Sequence, residues 1–302
     1  MLKTVLGDIS ANEVDSVLCH EHICCYSEYL RMMSGADYLD FDLLEEKAVS
    51  YLKRLKAKFG LNLFLDCTPI NIGRNVELLR RVSEKSGVHI VCSTGFYHGE
   101  EPVLLGSPDE LLVEHMIRDA KRINAGMIKA AVEAPSLTDF NVKLLNGAAL
   151  AQKELGLPIV LHTNARNENV PKALEILLGN GVKPESITVG HLSDTEDAEY
   201  IISLAKLGCY IGLDRLYGVK DETYINRKTD MILRLCDAGF GDKLLLSHDA
   251  AFFNGFDYPM FINEEPRFSY VFEYIAPRLP EDIFRRLIHD NPIAMLGCGA
   301  EN

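Results

Sequence analysis

Eight short apolar runs, each followed by polar residues and a longer helical pattern, limit what this chain can fold into more than any other feature. The first four are SVLCHEH (16–22), LNLFLDCTP (61–69), VHIVCSTGF (88–96) and GMIKAAVE (126–133). LPIVLHTNA (157–165), SITVGHLSD (186–194), CYIGLDRL (209–216) and KLLLSHDAA (243–251) follow. Near-continuous Val, Ile and Leu suit strands covered on both faces, as in a parallel sheet. Between the runs lie stretches such as DLLEEKAVSYLKRLKAKFG and NVELLRRVSEKSG, ending in the glycine that often stops a helix. Eight β/α units in about 250 residues is the arithmetic of a (β/α)8 TIM barrel. A doubly wound open sheet is the alternative. It usually carries a glycine-rich phosphate loop after its first strand, and none stands there. With no linker or low-complexity segment, residues 1–302 are expected to form a single α/β domain.

In such a barrel the active site lies at the C-terminal ends of the strands. The first run ends in His20 and His22, and the fourth carries Lys129. The fifth ends at His162, the sixth at His191 and the eighth at Asp249. Alternation along a strand puts His20 and His22 on one face, with Glu21 on the other, so the two imidazoles can share a metal ion. Each residue also has an ordinary reading. A buried histidine is commonly satisfied by backbone groups, and Asp249 can cap the turn that follows it. Lys129 resists that treatment, because an ammonium in an apolar strand must reach water, find a partner or be chemically changed. Four histidines, a lysine and an aspartate at one end of the barrel together point to a metal site.

The net charge of −13 argues against nucleic acid or an anionic membrane as partner, since each needs a basic surface. No apolar run approaches the roughly 20 residues of a membrane span, and MLKTVLGDIS lacks the apolar core of a signal peptide. A cytoplasmic protein is expected. The eight cysteines are scattered, many inside apolar runs, and read as small buried hydrophobes in a reducing compartment. Cys19, Cys24 and Cys25 lack the paired C-x-x-C spacing of a structural zinc site or a redox centre.

These residues carry a resemblance over nearly the whole chain. CHEH, DCTPINIGRN, STGFYHGE, GMIKAAVE, LHTNA, VGHLSDTED, IGLDR, LLSHDA and DNPIAMLG, in this order and spacing, resemble the phosphotriesterase family of the amidohydrolase superfamily, including its lactonase branch. The resemblance implies a TIM barrel with two divalent metal ions. His20, His22 and Asp249 match the ligands of the more buried ion, and His162 and His191 those of the more exposed one. Lys129 matches a lysine carboxylated by carbon dioxide, whose carbamate bridges both ions. Zinc fits this ligand set, as do manganese, cobalt and iron. The implied chemistry is attack by a metal-bridged hydroxide on a carboxylic ester, with Asp249 carrying the proton to the leaving group.

Tyr97 and Arg215 match positions associated with the lactonase branch. Tyr97 would orient substrate or water, and Arg215 would hold a substrate oxygen. Their ordinary readings are a packed aromatic and a surface ion pair with Asp214 or Asp221. Asp194 is a candidate proton acceptor linked to His191. The stretch between Asp249 and SYVFEYIA, about eighteen residues, is short beside lactonases that handle long acyl chains, and Phe252, Phe253 and Phe256 either line a small apolar pocket there or pack the loop. A small lactone is therefore the expected substrate. A phosphotriester is the alternative within the class, and a non-catalytic metal-binding barrel the alternative outside it. The family resemblance also implies a homodimer.

Overall fold

The computed structural model describes residues 1–99, 102–133, 136–165, 169–216, 219–256 and 260–297. An antiparallel hairpin, β1 (Leu2–Thr4) with β2 (Gly7–Ile9), comes first. Strands of three residues carry too little periodicity to be read from sequence. The runs then become β3 (Ser16–Cys25), β4 (Leu61–Asp66), β5 (His89–Gly95), β6 (Met127–Val132), β7 (Ile159–Thr163), β8 (Ile187–Val189) and β9 (Tyr210–Leu213). The eighth run is divided into β10 (Leu244–Leu246) and β11 (Ala251–Asn254).

All nine pair in parallel in the order β10-β9-β8-β7-β6-β5-β4-β3-β11. The two ends of that order are halves of one strand, so the sheet closes on itself. At the closure Asp249 N–H donates to His20 O at 3.0 Å and His22 N–H donates to Ala250 O at 2.9 Å. The division of the eighth run has a local cause. Asp249 takes a left-handed φ of 51°, which turns the chain between the two halves. The fold is the expected (β/α)8 barrel.

Helices α1 (Phe41–Phe59), α2 (Val76–Ser86), α3 (Asp109–Ile123), α4 (Asp139–Leu155), α5 (Asn169–Gly179), α6 (Ala198–Ala205) and α7 (Glu222–Leu235) follow successive strands. Side chains cap the starts of α1, α2, α4, α6 and α7. Asp40 accepts from the N–H groups of Asp42 and Leu43, and Asn75 from that of Leu78. No described helix is long and apolar enough to cross a membrane.

Strand alternation sorts the core into two layers. Leu18, Phe64, Ile128 and Leu161 face the helices. Val17, Leu65, Met127 and Val160 face the barrel interior, where Leu2 and Ile9 of the hairpin join them. One irregularity matters for function. Leu18 pairs with Phe64 but Glu21 with Asp66, so β3 carries one residue more than β4 between those points. This bulge lets Cys19 join the interior apolar layer while His20 also reaches inward. Bulges that re-aim side chains are common beside active sites.

Candidate metal centre

The six residues expected at the strand ends converge at one mouth of the barrel. His20 Nε2 lies 2.8 Å from Lys129 Nζ and 3.7 Å from Asp249 Oδ1. His22 Nε2 lies 3.2 Å from Asp249 Oδ1. His162 Nδ1 and His191 Nε2 stand 2.6 Å apart, and His191 Nδ1 is 3.7 Å from Asp249 Oδ2. All four imidazoles and Lys129 are buried.

Outer partners fix which nitrogen of each ring faces inward, because a neutral imidazole has one N–H and one lone pair. His20 Nδ1 donates to Asp214 Oδ2 at 2.6 Å, and His191 Nδ1 donates to Asp214 Oδ1 at 3.0 Å. His22 Nδ1 meets Thr68 Oγ1 at 2.8 Å, whose own proton is directed at Cys24 O. His162 Nε2 donates to Glu133 Oε2 at 2.8 Å, where Tyr97 Oη also stands at 3.3 Å. With those protons directed outward, the inward nitrogens of His20, His162 and His191 present lone pairs. At His22, burial is outweighed by the neighbouring Cys25 and Asp249, which hold the imidazole well above its ordinary range. His162 then faces His191 acceptor to acceptor, while a proton on His22 Nε2 is shared with Asp249 Oδ1. A cation between His162 and His191 would satisfy both lone pairs, and at His22 and Asp249 it would take the place of a proton.

The charges agree. Burial, reinforced by Lys129, pushes the His20 imidazole down to about 3. Burial and His191 hold His162 well below its ordinary range. Burial alone would raise Asp214 and Asp249, but the surrounding imidazoles hold both carboxyls well below the usual range. Neutral imidazoles beside ionised carboxylates are the forms that bind metal. His20, His22 and Asp249 form one group that could hold an ion, and His20, His191 and Asp214 another. Lys129 has no carboxylate partner among the described residues, and its Nζ is within bonding distance of an imidazole lone pair.

Asp214 is the residue the sequence reading passes over. It is fully buried at the end of β9 and orients two of the four histidines. Its signal was present, since an acid closing the apolar run CYIGL raises the same question as Lys129. Room for its carboxylate depends on two glycines. A Cβ on Gly212 would sit 2.7 Å from Asp214 Oδ2 and 3.0 Å from Gly190 Cα, and one on Gly190 would sit 3.2 Å from the same oxygen. Glu21, turned outward as alternation requires, holds the Asp249 turn from behind. Its Oε1 accepts from Ser247 Oγ at 2.8 Å and from His248 N and Nδ1 at 2.9 and 2.6 Å, and its Oε2 from Ala250 N at 3.0 Å.

Other expectations are corrected. Asp194 does not serve His191, which Asp214 holds; it accepts from Arg215 Nη1 at 2.7 Å. Arg215 pairs with neither Asp214 nor Asp221. Its Nε donates to Asp249 Oδ2 at 2.8 Å, so two of its donors are already engaged by carboxylates. Phe252 and Phe253 take the second of their two readings: they pack, as core residues, edge-on against Tyr51 and Tyr38 at 5.8 and 5.5 Å. Of the three phenylalanines only Phe256 lines the pocket. Residues 257–259 of that loop lie outside the described residues.

Over the site opens a cavity of about 970 Å³, lined by His22, Lys129, His162, Tyr97, Arg215 and Asp249 at its floor. Burial pushes the Tyr97 phenol up, so it is a neutral hydrogen-bonding group there.

Comparison with known proteins agrees with this geometry. The chain matches the phosphotriesterase family over residues 1–291. It is 34% identical over 249 residues to an aryldialkylphosphatase of Saccharolobus solfataricus, covering 80% of this chain and 78% of that one. A phosphotriesterase homology protein of Mycobacterium tuberculosis is 29% identical over 264 residues, covering 82% and 80%. The N-acetyltaurine hydrolase of Bos taurus is 26% identical over 294 residues, covering 82% and 83%. The family's enzymes are hydrolases of small molecules with a binuclear metal centre, and this chain belongs to the phosphotriesterase family.

Proposed function

We propose that the protein is a binuclear metal-dependent hydrolase acting on a small carboxylic ester, most closely a lactone. The observation that carries this reading is the convergence of one ring nitrogen each from His20, His22, His162 and His191 around Asp249 and a buried Lys129 with no carboxylate partner among the described residues. His20, His22 and Asp249 would hold one ion, His162 and His191 the other, with Lys129 between. Lys129, having given up one proton from its ammonium, would form an N–C bond to carbon dioxide as one C–O π bond opens and the nitrogen loses a second proton, so that a buried cation becomes a carbamate anion suited to hold two dications. Zinc is the expected metal. Two such cations lower the pKa of water to near neutral and polarise a carbonyl oxygen.

The chain's own residues do the rest. Asp249, ionised and steered by Arg215 and by the Glu21-held turn, accepts the proton of the attacking water and returns it to the departing ring oxygen. Tyr97 donates toward the substrate from beside His162. Asp214 keeps two imidazoles in the required tautomer. Phosphotriester hydrolysis is the second reading, favoured by the name of the Saccharolobus relative.

The test is metal analysis followed by kinetics on protein prepared with zinc and bicarbonate. Two ions per chain and turnover of five-membered or sugar lactones are expected. A phosphotriester preferred tenfold, about 1.4 kcal/mol in transition-state binding, would overturn the lactone reading. Fewer than two ions would overturn the binuclear one, and two ions without any hydrolysis would mean a non-catalytic barrel.

A further inference from the structure

The outer wall of the same cavity is built differently from its floor. Asp249 is the one carboxylate among the described residues that line the cavity, and Arg215 already pairs with it. Arg267 also lines the cavity, is exposed, and its guanidinium has no hydrogen bond or ion pair among the described residues. An uncompensated cation is unexpected in a chain of net charge −13.

The loop that carries it explains the imbalance. Residues 263–267 read Asn-Glu-Glu-Pro-Arg. Glu264 pairs with Lys47 at 3.1 Å and Glu265 with Arg54 at 2.5 Å, both on α1. The loop's two acids are thus drawn to the helix while Arg267 faces the cavity. Asn263, also on the cavity wall, accepts the Glu265 N–H through Oδ1 at 3.1 Å, which leaves its Nδ2 protons as donors. The platform is rigid. Asn263 N–H donates to Phe252 O, Pro266 is buried, and Phe268 is packed in the core against Phe252 and Phe64 at 5.2 and 5.3 Å.

We propose that Arg267, assisted by the Asn263 amide, is the specificity-determining residue of this enzyme, binding an anionic group at the end of the substrate remote from the scissile bond. Carboxylate, sulfonate and phosphate monoester all offer the planar or trigonal oxygen pair that a guanidinium fork grips. Arg215, engaged by two acids, is not that anchor. The inference deepens the hydrolase reading and rests on it.

Two measurements separate the two claims. The first compares kcat/KM for a five-membered lactone bearing a carboxylate or phosphate on its side arm with that for an uncharged analogue of the same length. Arg267→Met should cost the anionic lactone roughly tenfold, through KM, and leave kcat and the neutral lactone within about twofold. Arg267→Lys should recover part of the loss. The second is calorimetric binding of 2-hydroxyethanesulfonate to metal-loaded protein, whose Kd should rise roughly tenfold in Arg267→Met. Equal effects on both lactones, or an unchanged sulfonate Kd, would overturn the anion site and leave the hydrolase standing. Weakened sulfonate binding in a protein that hydrolyses no lactone would support the anion site and overturn the lactone reading.

Discussion

The two halves of the barrel interior use the same strands for opposite purposes. On β6, Met127 and Lys129 point inward two residues apart; on β7, so do Val160 and His162. About 6.6 Å of strand rise separates an apolar floor, closed below by the β1–β2 hairpin, from a mouth where imidazoles, carboxylates and an ammonium are buried together. The floor stabilises the closed sheet by removing apolar surface from water. The mouth does the reverse, since buried ionisable groups are costly until a partner of opposite charge arrives. The barrel is thus a stable lower half carrying an upper half that a metal ion would complete. Substitutions in the two halves should therefore separate stability from chemistry.

The largest effect is expected at Lys129. Lys129→Ala should reduce kcat/KM by roughly 10³-fold or more, about 4 kcal/mol, and lower the metal content. A short carboxylic acid added to the variant should restore part of both by occupying the space of the proposed carbamate. Full activity in Lys129→Ala would erase the distinction between the halves. So would unmodified lysine in fully metallated protein, read by mass and by ¹³C-bicarbonate labelling.

Next comes the floor. Leu65 is fully buried in the interior apolar layer. Leu65→Ala should destabilise the fold by roughly 2–5 kcal/mol, measured by denaturant unfolding, with kcat/KM of the folded enzyme kept within about twofold. A large loss of activity at permissive temperature would show that floor and mouth are coupled.

Asp214→Asn tests the layer that joins them. The side chain keeps its volume but loses the charge that fixes His20 and His191. A fall of roughly 10–100-fold in metal affinity or activity is expected, with thermal stability of the metal-free protein changed far less than by Leu65→Ala. An activity loss below twofold would remove Asp214 from the positioning role.

Much of this contrast is legible in the sequence, and for a definite reason. A histidine, lysine or aspartate that closes a run of Val, Ile and Leu breaks the hydrophobic pattern, so His162, His191, Lys129 and Asp249 stand out. What escapes has no such contrast or depends on geometry. The β3 bulge that re-aims His20 leaves no mark in the residue types of SVLCHEH. Asp214 is screened by its neighbour Arg215, which makes it look like half of a surface pair. Phe252 and Phe253 look like pocket residues until the left-handed turn at Asp249 is seen to start a new strand and turn them into the core. Arg267 lies in a loop, where no periodicity exists to be broken.

The smallest effect expected is a dependence on pH, and it distinguishes the halves without any substrate. In the metal-free protein His20 is neutral when folded, because burial and Lys129 push it down to about 3, while an unfolded histidine titrates near its ordinary value of roughly 6.5. The unfolded chain therefore binds the proton first as pH falls. His20 contributes its full share of stability above about pH 6.5 and loses it progressively toward pH 3, by at most about 1.4 kcal/mol per pH unit. Asparagine at this position has no proton to gain. The stability of the metal-free protein relative to its His20→Asn variant should thus be constant above neutrality and fall as the solution is acidified. Leu65→Ala carries no titratable group, so its curve should run parallel to that of the parent at every pH. Unfolding midpoints of the three metal-free proteins between pH 8 and pH 4 make the comparison. Parallel parent and His20→Asn curves would mean that His20 is hydrated and already protonated in the folded state, contrary to a dry mouth that waits for a cation.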